Sequence, residues 1–230
     1  MSVVLSKIVP WGRSLEEYRL MFNLSKDDLN RYILGCGDGT ASFNYEMTSL
    51  GYRVISVDPI YVFSKDRIRR QIEDTYDTII SQVKRNQHNY VWDYHHDPDT
   101  LGNQRLAAMD MFLGDYEAGC SEHRYQNQAL PSLSFSDNEF DLALCSNLLF
   151  LYSDQLSLDF HLRSLKELSR VAIEVRLFPL LSLDCTISPY VESVLNYFSA
   201  DVDFYIEVQK VPYEFQRGGN KMMRIWRKTT

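Results

Sequence analysis

The sequence predicts an α/β fold: a seven-stranded, mostly parallel sheet with helices on both faces and an antiparallel hairpin at its C-terminal end. Two observations support this. Short apolar runs alternate with amphipathic helical patterns, as in parallel sheets whose crossovers are helices. The last two strand patterns are joined through Gly218-Gly219-Asn220, residues that suit a tight antiparallel connection. With 230 residues, 45% of them hydrophobic, the chain fits a single globular domain spanning 1–230.

The N-terminal part predicts the opening half of a doubly wound sheet. Ser14 and Glu17 have the spacing of a capping box, and so do Ser25 and Asp28, so each pair predicts a helix start. The following elements are a strand at 32–34, a glycine turn, a helix at 41–50 and a strand at 53–57 that stops at Asp58-Pro59. This order indicates a Rossmann-like sheet.

A long segment follows the second strand. A helical pattern starts at Ser64, a loop carries Asp97-Pro98-Asp99, and a second helix is expected from Gln104. The next strand pattern appears at 123–128, so about sixty residues separate strands two and three, many more than a compact crossover needs. We interpret 60–122 as a helical insertion that forms a lid together with the N-terminal helix.

The remaining patterns complete the fold. We expect strands at 140–145, 171–178, 204–211 and 221–227, and helices at 156–168 and 188–198.

Composition excludes several classes. The formal net charge of −7 disfavours a nucleic-acid partner. The cysteines Cys36, Cys120, Cys145 and Cys185 form no C-x-x-C pair, and His95-His96-Asp97 is explained by a short loop before a helix, so we expect no metal. No apolar run is long enough for a membrane helix, and the first ten residues lack the pattern of a secretory signal. We therefore expect a cytoplasmic protein that does not bind membranes.

The segment Gly35-Cys36-Gly37-Asp38-Gly39 carries the chemistry. Alternate glycines after a strand let the backbone turn sharply and approach a ligand, and the next helix points its positive end toward the same place. Asp58 ends the second strand, where a carboxylate can accept hydrogen bonds from two ribose hydroxyls. A nucleoside cofactor is therefore expected at this edge of the sheet.

Two cofactors are considered. Dinucleotide folds use G-x-G-x-x-G, whereas here the third glycine comes one residue early, at Gly39. Asp38 would repel a pyrophosphate and attract an ammonium group. S-adenosylmethionine carries an ammonium group, a sulfonium and no phosphate. The loop therefore favours S-adenosylmethionine over NAD(P).

With these motifs the chain resembles the class I S-adenosylmethionine-dependent methyltransferases, and more closely a group of uncharacterised bacterial members. The resemblance is carried by the glycine motif, Val57-Asp58-Pro59, the run from Leu133 to Leu142, Ser146-Asn147-Leu148-Leu149 and the C-terminal hairpin.

The resemblance implies roles by position. Gly35, Gly37 and Gly39 would line the methionine part of the cofactor, Asp58 would hold the ribose, and Pro59 and Ile60 would lie near the adenine. Many family members have an acid after strand three that binds the adenine amino group. The matching stretch here is Gln128-Ala129-Leu130, which leaves that contact to backbone groups or to Gln128. Ser146 and Asn147 would begin the loop beneath the sulfonium.

The acceptor is expected to be a small molecule, with a protein as the second possibility. Tyr152 and Arg176 are candidate substrate residues, although Arg176 could instead form an ion pair with Glu174. No catalytic base is predicted, because many small-molecule members of the family have histidines just after strand four, where this sequence has Phe150 and Leu151. A binding protein without turnover and an NAD(P)-dependent oxidoreductase remain the alternatives.

Overall fold

The computed structural model describes residues 9–228; most of the N-terminal stretch on which the leader prediction rests lies outside this range. Within it, seven strands form one sheet in the order β3-β2-β1-β4-β5-β7-β6. The strands are β1 (Ile33–Cys36), β2 (Val54–Val57), β3 (Tyr125–Gln126), β4 (Phe140–Ser146), β5 (Ala172–Phe178), β6 (Phe204–Lys210) and β7 (Lys221–Arg227). Strands β1 to β5 pair in parallel, and β7 is antiparallel to β5 and β6. The predicted Rossmann-like architecture is confirmed.

The helices are α1 (Leu15–Met21), α2 (Lys26–Leu29), α3 (Phe43–Ser49), α4 (Lys65–Arg85), α5 (Pro98–Ser121), α6 (Leu158–Val171) and α7 (Val191–Ser199). Both predicted capping boxes, at Ser14 and Ser25, are formed. Helix α5 starts at Pro98, earlier than the predicted Gln104. Asp97 caps it by accepting the Thr100 N–H, and proline suits the first helical position, so the expected loop is the helix start.

The helices cover both faces of the sheet because neighbouring strand residues point to opposite sides. Ile33 and Leu142 pack against α1 and α3, whereas Leu34 and Ala143 pack on the face covered by α6 and α7. This double cover explains why the central strands are apolar at almost every position.

The insertion consists of α4 and α5, which lie against each other beside the sheet edge. Ile68 and Ile72 of α4 share a buried cluster with Met109 and Phe112 of α5 and with Tyr125 of β3. Along residues 9–228, no helix is both long and apolar enough to cross a membrane. The helical nature of the insertion is as predicted, and its role as a lid stays a prediction.

Candidate functional site

The carboxyl ends of β1, β2 and β4 meet at one edge of the sheet, because these strands are parallel neighbours. Here Gly37 and Gly39 have φ angles of +72° and +53°, a left-handed conformation that glycine adopts without steric cost. A Cβ at Gly37 would also come within 2.9 Å of the Leu148 side chain. The bend between these two glycines therefore exposes bare backbone, and we call it the glycine bend.

Asp38 is buried beside the glycine bend. Its Oδ1 accepts a hydrogen bond from the Tyr18 hydroxyl at 2.7 Å, and its Oδ2 accepts one from the Ser56 hydroxyl at 2.5 Å. The carboxylate lies against Gly35, where any side chain would collide with it. Burial raises the pKa of Asp38 to about 7, and the nearby Asp58 charge adds to the rise. This negative centre attracts a cation and repels a phosphate.

Asp58 lies on the other side of the glycine bend. Its Oδ2 accepts the Gly39 N–H at 3.0 Å, and its Oδ1 accepts the Ile60 N–H at 2.8 Å. Burial raises the pKa of Asp58 to about 6, against the effect of these two hydrogen bonds. Each carboxylate oxygen has a second lone pair, so the carboxylate can also accept hydrogen bonds from two ligand hydroxyls.

The described residues enclose two adjoining cavities at this edge, of about 140 Å³ and about 510 Å³. Both contact Gly37, Gly39 and Asp58. Among the residues predicted from the sequence, the first cavity is also lined by Asp38, Ser146, Asn147 and Tyr152. The second is also lined by Cys36, Pro59, Ile60, Gln128, Ala129 and Leu130. The predicted residues are thus brought together, except that Gly35 lies beneath Asp38 and Arg176 lies elsewhere.

The loop after β4 is held in an unusual conformation. Asn147 has a φ of +52°, and its N–H donates to the Phe178 carbonyl at 2.7 Å. Its Nδ2 donates to the Ser146 Oγ at 2.8 Å. The positive φ of a non-glycine residue at the mouth of a cavity is typical of functional loops.

Gln128 has little freedom to contact a ligand. Its Nε2 donates to the Gln126 Oε1 at 2.8 Å, and its Oε1 accepts the Ser134 N–H at 2.7 Å. The prediction left the adenine contact to Gln128 or to backbone groups. The side chain is engaged by its neighbours, so the backbone of Ala129 and Leu130 is the better candidate.

Arg176 is a correction to the predicted substrate residues. Its guanidinium contacts Glu174 Oε1 at 2.7 Å and Asp28 Oδ1 at 2.9 Å, and it donates to the Phe22 carbonyl. It is not among the described residues that line either cavity. The buried Glu174 and the half-buried Asp28 hold this arginine, and the ion pair with Glu174 that the sequence offered as the alternative is formed.

His95 is part of the buried core. Its Nδ1 lies 2.5 Å from Gln104 Oε1 and its Nε2 lies 2.9 Å from the Tyr213 hydroxyl. Burial and the nearby Arg105 charge lower the pKa of His95 to about 4, so the ring is neutral. Across residues 9–228, no group of three or more histidine, cysteine or acidic side chains is placed to hold a metal ion.

Arg13 was missed by the sequence analysis. It precedes α1 and lines the first cavity, where its Nη1 donates to the Trp11 carbonyl at 3.2 Å. Burial and the Arg105 charge lower the pKa of Arg13. Within residues 9–228, no carboxylate lies within 4.0 Å of its guanidinium. A single arginine before a helix has no sequence pattern that could have identified it.

No protein-family model matches the chain. Among solved structures, it resembles magnesium protoporphyrin IX methyltransferase from Synechocystis PCC 6803 with bound SAM. The TM-score is 0.48 and the identity 11%, over 93% of this chain and 78% of that one. It also resembles a SAM-dependent methyltransferase from Methanosarcina mazei, with a TM-score of 0.44 and 16% identity over 86% of this chain and 92% of that one. Likenesses this distant identify no activity.

One sequence relative is much nearer. The uncharacterised protein MJ0045 of Methanocaldococcus jannaschii is 31% identical over 224 residues, which span 97% of this chain and 98% of the relative. This relative is archaeal, which corrects the expectation of bacterial relatives. The chain belongs to the same protein family as MJ0045 of Methanocaldococcus jannaschii.

Proposed function

We propose that this protein is a methyltransferase that uses S-adenosylmethionine. The observation that supports this most is the glycine bend set between the buried carboxylate of Asp38 and the half-buried carboxylate of Asp58, at the carboxyl end of a parallel sheet. This arrangement suits a nucleoside that carries a positive charge and lacks phosphate.

The backbone amides of the bend disfavour a dinucleotide. A pyrophosphate needs free N–H groups at the start of the next helix. Here the Gly37 N–H donates to the Val57 carbonyl, the Ala41 N–H to the Asp38 carbonyl and the Ser42 N–H to the Arg13 carbonyl, at 2.9 to 3.1 Å. The Gly39 N–H is taken by Asp58. These engaged amides favour S-adenosylmethionine over NAD(P) at this site.

The residues fit the parts of S-adenosylmethionine. Asp58 accepts hydrogen bonds from the ribose hydroxyls, and the Asp38 charge attracts the ammonium group. Arg13 offers a guanidinium to the carboxylate. The larger cavity, whose lining includes Ile60 and Leu130, would take the adenine.

The bound cofactor would supply a methyl group on a positively charged sulfur, which is already an electrophile. The task of the chain is then to align an acceptor with that methyl group and to exclude water. Ser146 and Asn147, fixed by their mutual hydrogen bond, form the floor of the first cavity. Tyr152, also buried at this cavity, borders the acceptor side.

A small molecule is the proposed acceptor, and a protein is the second possibility. The formal net charge of −7 does not favour a nucleic acid. We also keep the cytoplasm as the proposed location.

Calorimetry tests the proposal. S-adenosylmethionine and S-adenosylhomocysteine should bind, and NADH should not. Binding of NADH alone would overturn the assignment. A screen for transfer of a labelled methyl group to pools of small molecules and proteins then separates an enzyme from a binding protein without turnover.

A further inference from the structure

The first cavity extends beyond the glycine bend into an apolar end, which we call the acceptor compartment. We propose that this compartment holds the methyl acceptor and that the acceptor is an uncharged, planar ring molecule. That the bound ring molecule accepts a methyl group rests on the proposed function. The ligand class itself follows from the walls of the compartment.

The walls are aromatic and aliphatic. Trp11, Tyr90 and Phe215 contribute rings, and Ile79, Val83 and Leu183 contribute aliphatic side chains. They come from the N-terminal segment, the insertion, the loop after β5 and the connection between β6 and β7. Aromatic walls favour planar rings, which pack against them edge to face or with offset stacking.

The acidic groups lie at the glycine bend. Among the described residues that line the cavity, the charged ones are Arg13, Asp38 and Asp58. Both acids flank the glycine bend, and the guanidinium of Arg13, which donates to the Trp11 carbonyl at 3.2 Å, is the group proposed to hold the cofactor's carboxylate. A charged acceptor in the compartment would therefore lose its hydration without gaining a partner, which is costly. The cofactor's carboxylate, ammonium group and ribose hydroxyls would account for Arg13, Asp38 and Asp58, respectively.

Gln216 is one of the polar residues in the lining. The Gln216 Nε2 donates to the Ser182 carbonyl at 3.0 Å, and among the described residues no donor is paired with its Oε1. A ring N–H or O–H could donate to that oxygen. This suits a neutral ring that carries one donor.

The compartment is preformed. Tyr90 and Phe215 stack with their centroids 4.4 Å apart and their planes 8° from parallel, and Trp92 packs edge-on against Phe215 at 5.7 Å. The Val91 N–H donates to the Phe215 carbonyl at 2.8 Å, which joins the insertion to the β6–β7 connection. A rigid wall made by two separate segments selects ligands by shape.

The experiment compares three ligands that share the indole ring and differ in charge. They are indole, which is neutral, indole-3-acetate, which is an anion, and tryptamine, which is a cation. Binding to the full chain is measured by calorimetry with S-adenosylhomocysteine present. Leu183→Trp fills the compartment from a half-buried loop position, and Ile187→Trp places the same ring at a residue of that loop that is 69% exposed. We expect indole to bind best and Leu183→Trp to weaken it by about tenfold or more. Ile187→Trp should leave its affinity unchanged.

Each other outcome is decisive. Stronger binding of indole-3-acetate or tryptamine than of indole overturns the inference, and so does an unchanged indole affinity in Leu183→Trp. If S-adenosylhomocysteine binds and indole does not, the inference fails and the proposed function stands. If indole binds with the expected preference and S-adenosylhomocysteine does not, the ligand class stands and the proposed function fails.

Discussion

Glu17 of α1 and Arg105 of α5 form a buried ion pair, with Oε2 and Nη1 2.5 Å apart and a sequence separation of 88 residues. The Tyr213 hydroxyl donates to the other carboxylate oxygen at 2.9 Å. Arg105 also donates to the Gly12 carbonyl, next to Arg13. This cluster fastens the N-terminal segment and the β6–β7 connection to the insertion, and so fixes three walls of the first cavity.

Removing one member of this pair should be costly. Arg105→Met leaves the Glu17 charge buried without its partner, so we expect a loss of about 3–5 kcal/mol in the free energy of unfolding. The double variant Glu17→Gln, Arg105→Met should recover much of this loss. Urea unfolding followed by circular dichroism measures both. The matched control is Arg163→Met, which breaks an exposed pair with Asp159 and should cost at most about 1 kcal/mol. Equal losses in the two single variants would contradict this account.

The same pair predicts how stability depends on acid. Burial alone would raise the pKa of Glu17, but the Arg105 charge and hydrogen bond outweigh it and lower the pKa to about 2. The folded pKa is below the ordinary value of 4.5, so the stabilisation is present above pH 4.5 and is lost as the pH falls toward 2. The free energy of unfolding of the parent should therefore fall more steeply over this range than that of the double variant. Parallel curves would show that Glu17 titrates normally.

Asp58 should determine nucleoside affinity. Asp58→Ala removes a charged acceptor of two ribose hydrogen bonds, each contributing about 1.5–3 kcal/mol. We expect the affinity for S-adenosylhomocysteine to fall by roughly 100-fold or more. Asp154→Ala is the control, because that carboxylate is exposed and belongs to neither cavity. Calorimetry on both variants, with melting temperatures to confirm folding, gives the result, and an unchanged affinity in Asp58→Ala would remove the ribose assignment.

The glycine motif and Asp58 could be predicted from the sequence because their chemistry is local. A glycine bend after one strand and a carboxylate at the end of the next strand lie within about twenty residues of each other, so the pattern can be recognised in the sequence. Arg176 could not be placed in the same way, since its partner Asp28 is 148 residues away in the chain. The same is true of Phe215, which reaches the cavity from the far end of the chain. Contacts between distant segments depend on the assembled fold, and a single sequence does not display them.

Cofactor affinity should increase with pH below neutrality. Burial raises the pKa of Asp38 to about 7 and that of Asp58 to about 6, so both carboxyls are largely protonated at pH 5.5. A bound ammonium group favours the ionised Asp38, and binding therefore releases a proton. Between pH 5.5 and 7, where an α-amino group stays charged, the affinity for S-adenosylhomocysteine should rise by up to about tenfold per pH unit for each proton released.

Two comparisons separate the carboxyls in this experiment. Asp38→Asn should flatten most of the pH dependence, because an amide does not titrate in this range. 5′-Methylthioadenosine lacks the ammonium group and should retain the part that belongs to Asp58. An equally steep dependence for both ligands would mean that Asp38 does not face the ammonium group.

Arg13 should recognise the amino-acid end of the cofactor and not the nucleoside. Arg13 lines the first cavity, and among the described residues no carboxylate pairs with its guanidinium. Arg13→Met keeps the length of the side chain and removes the charge. A charged hydrogen bond of about 1.5–3 kcal/mol would then be lost, which corresponds to roughly tenfold to 100-fold weaker binding of S-adenosylhomocysteine. Binding of 5′-methylthioadenosine, which has no carboxylate, should be unchanged. Arg19→Met is the control, because Arg19 pairs with Glu16 on the exposed side of α1. Equal losses for both ligands would assign Arg13 to the folding of the N-terminal segment instead.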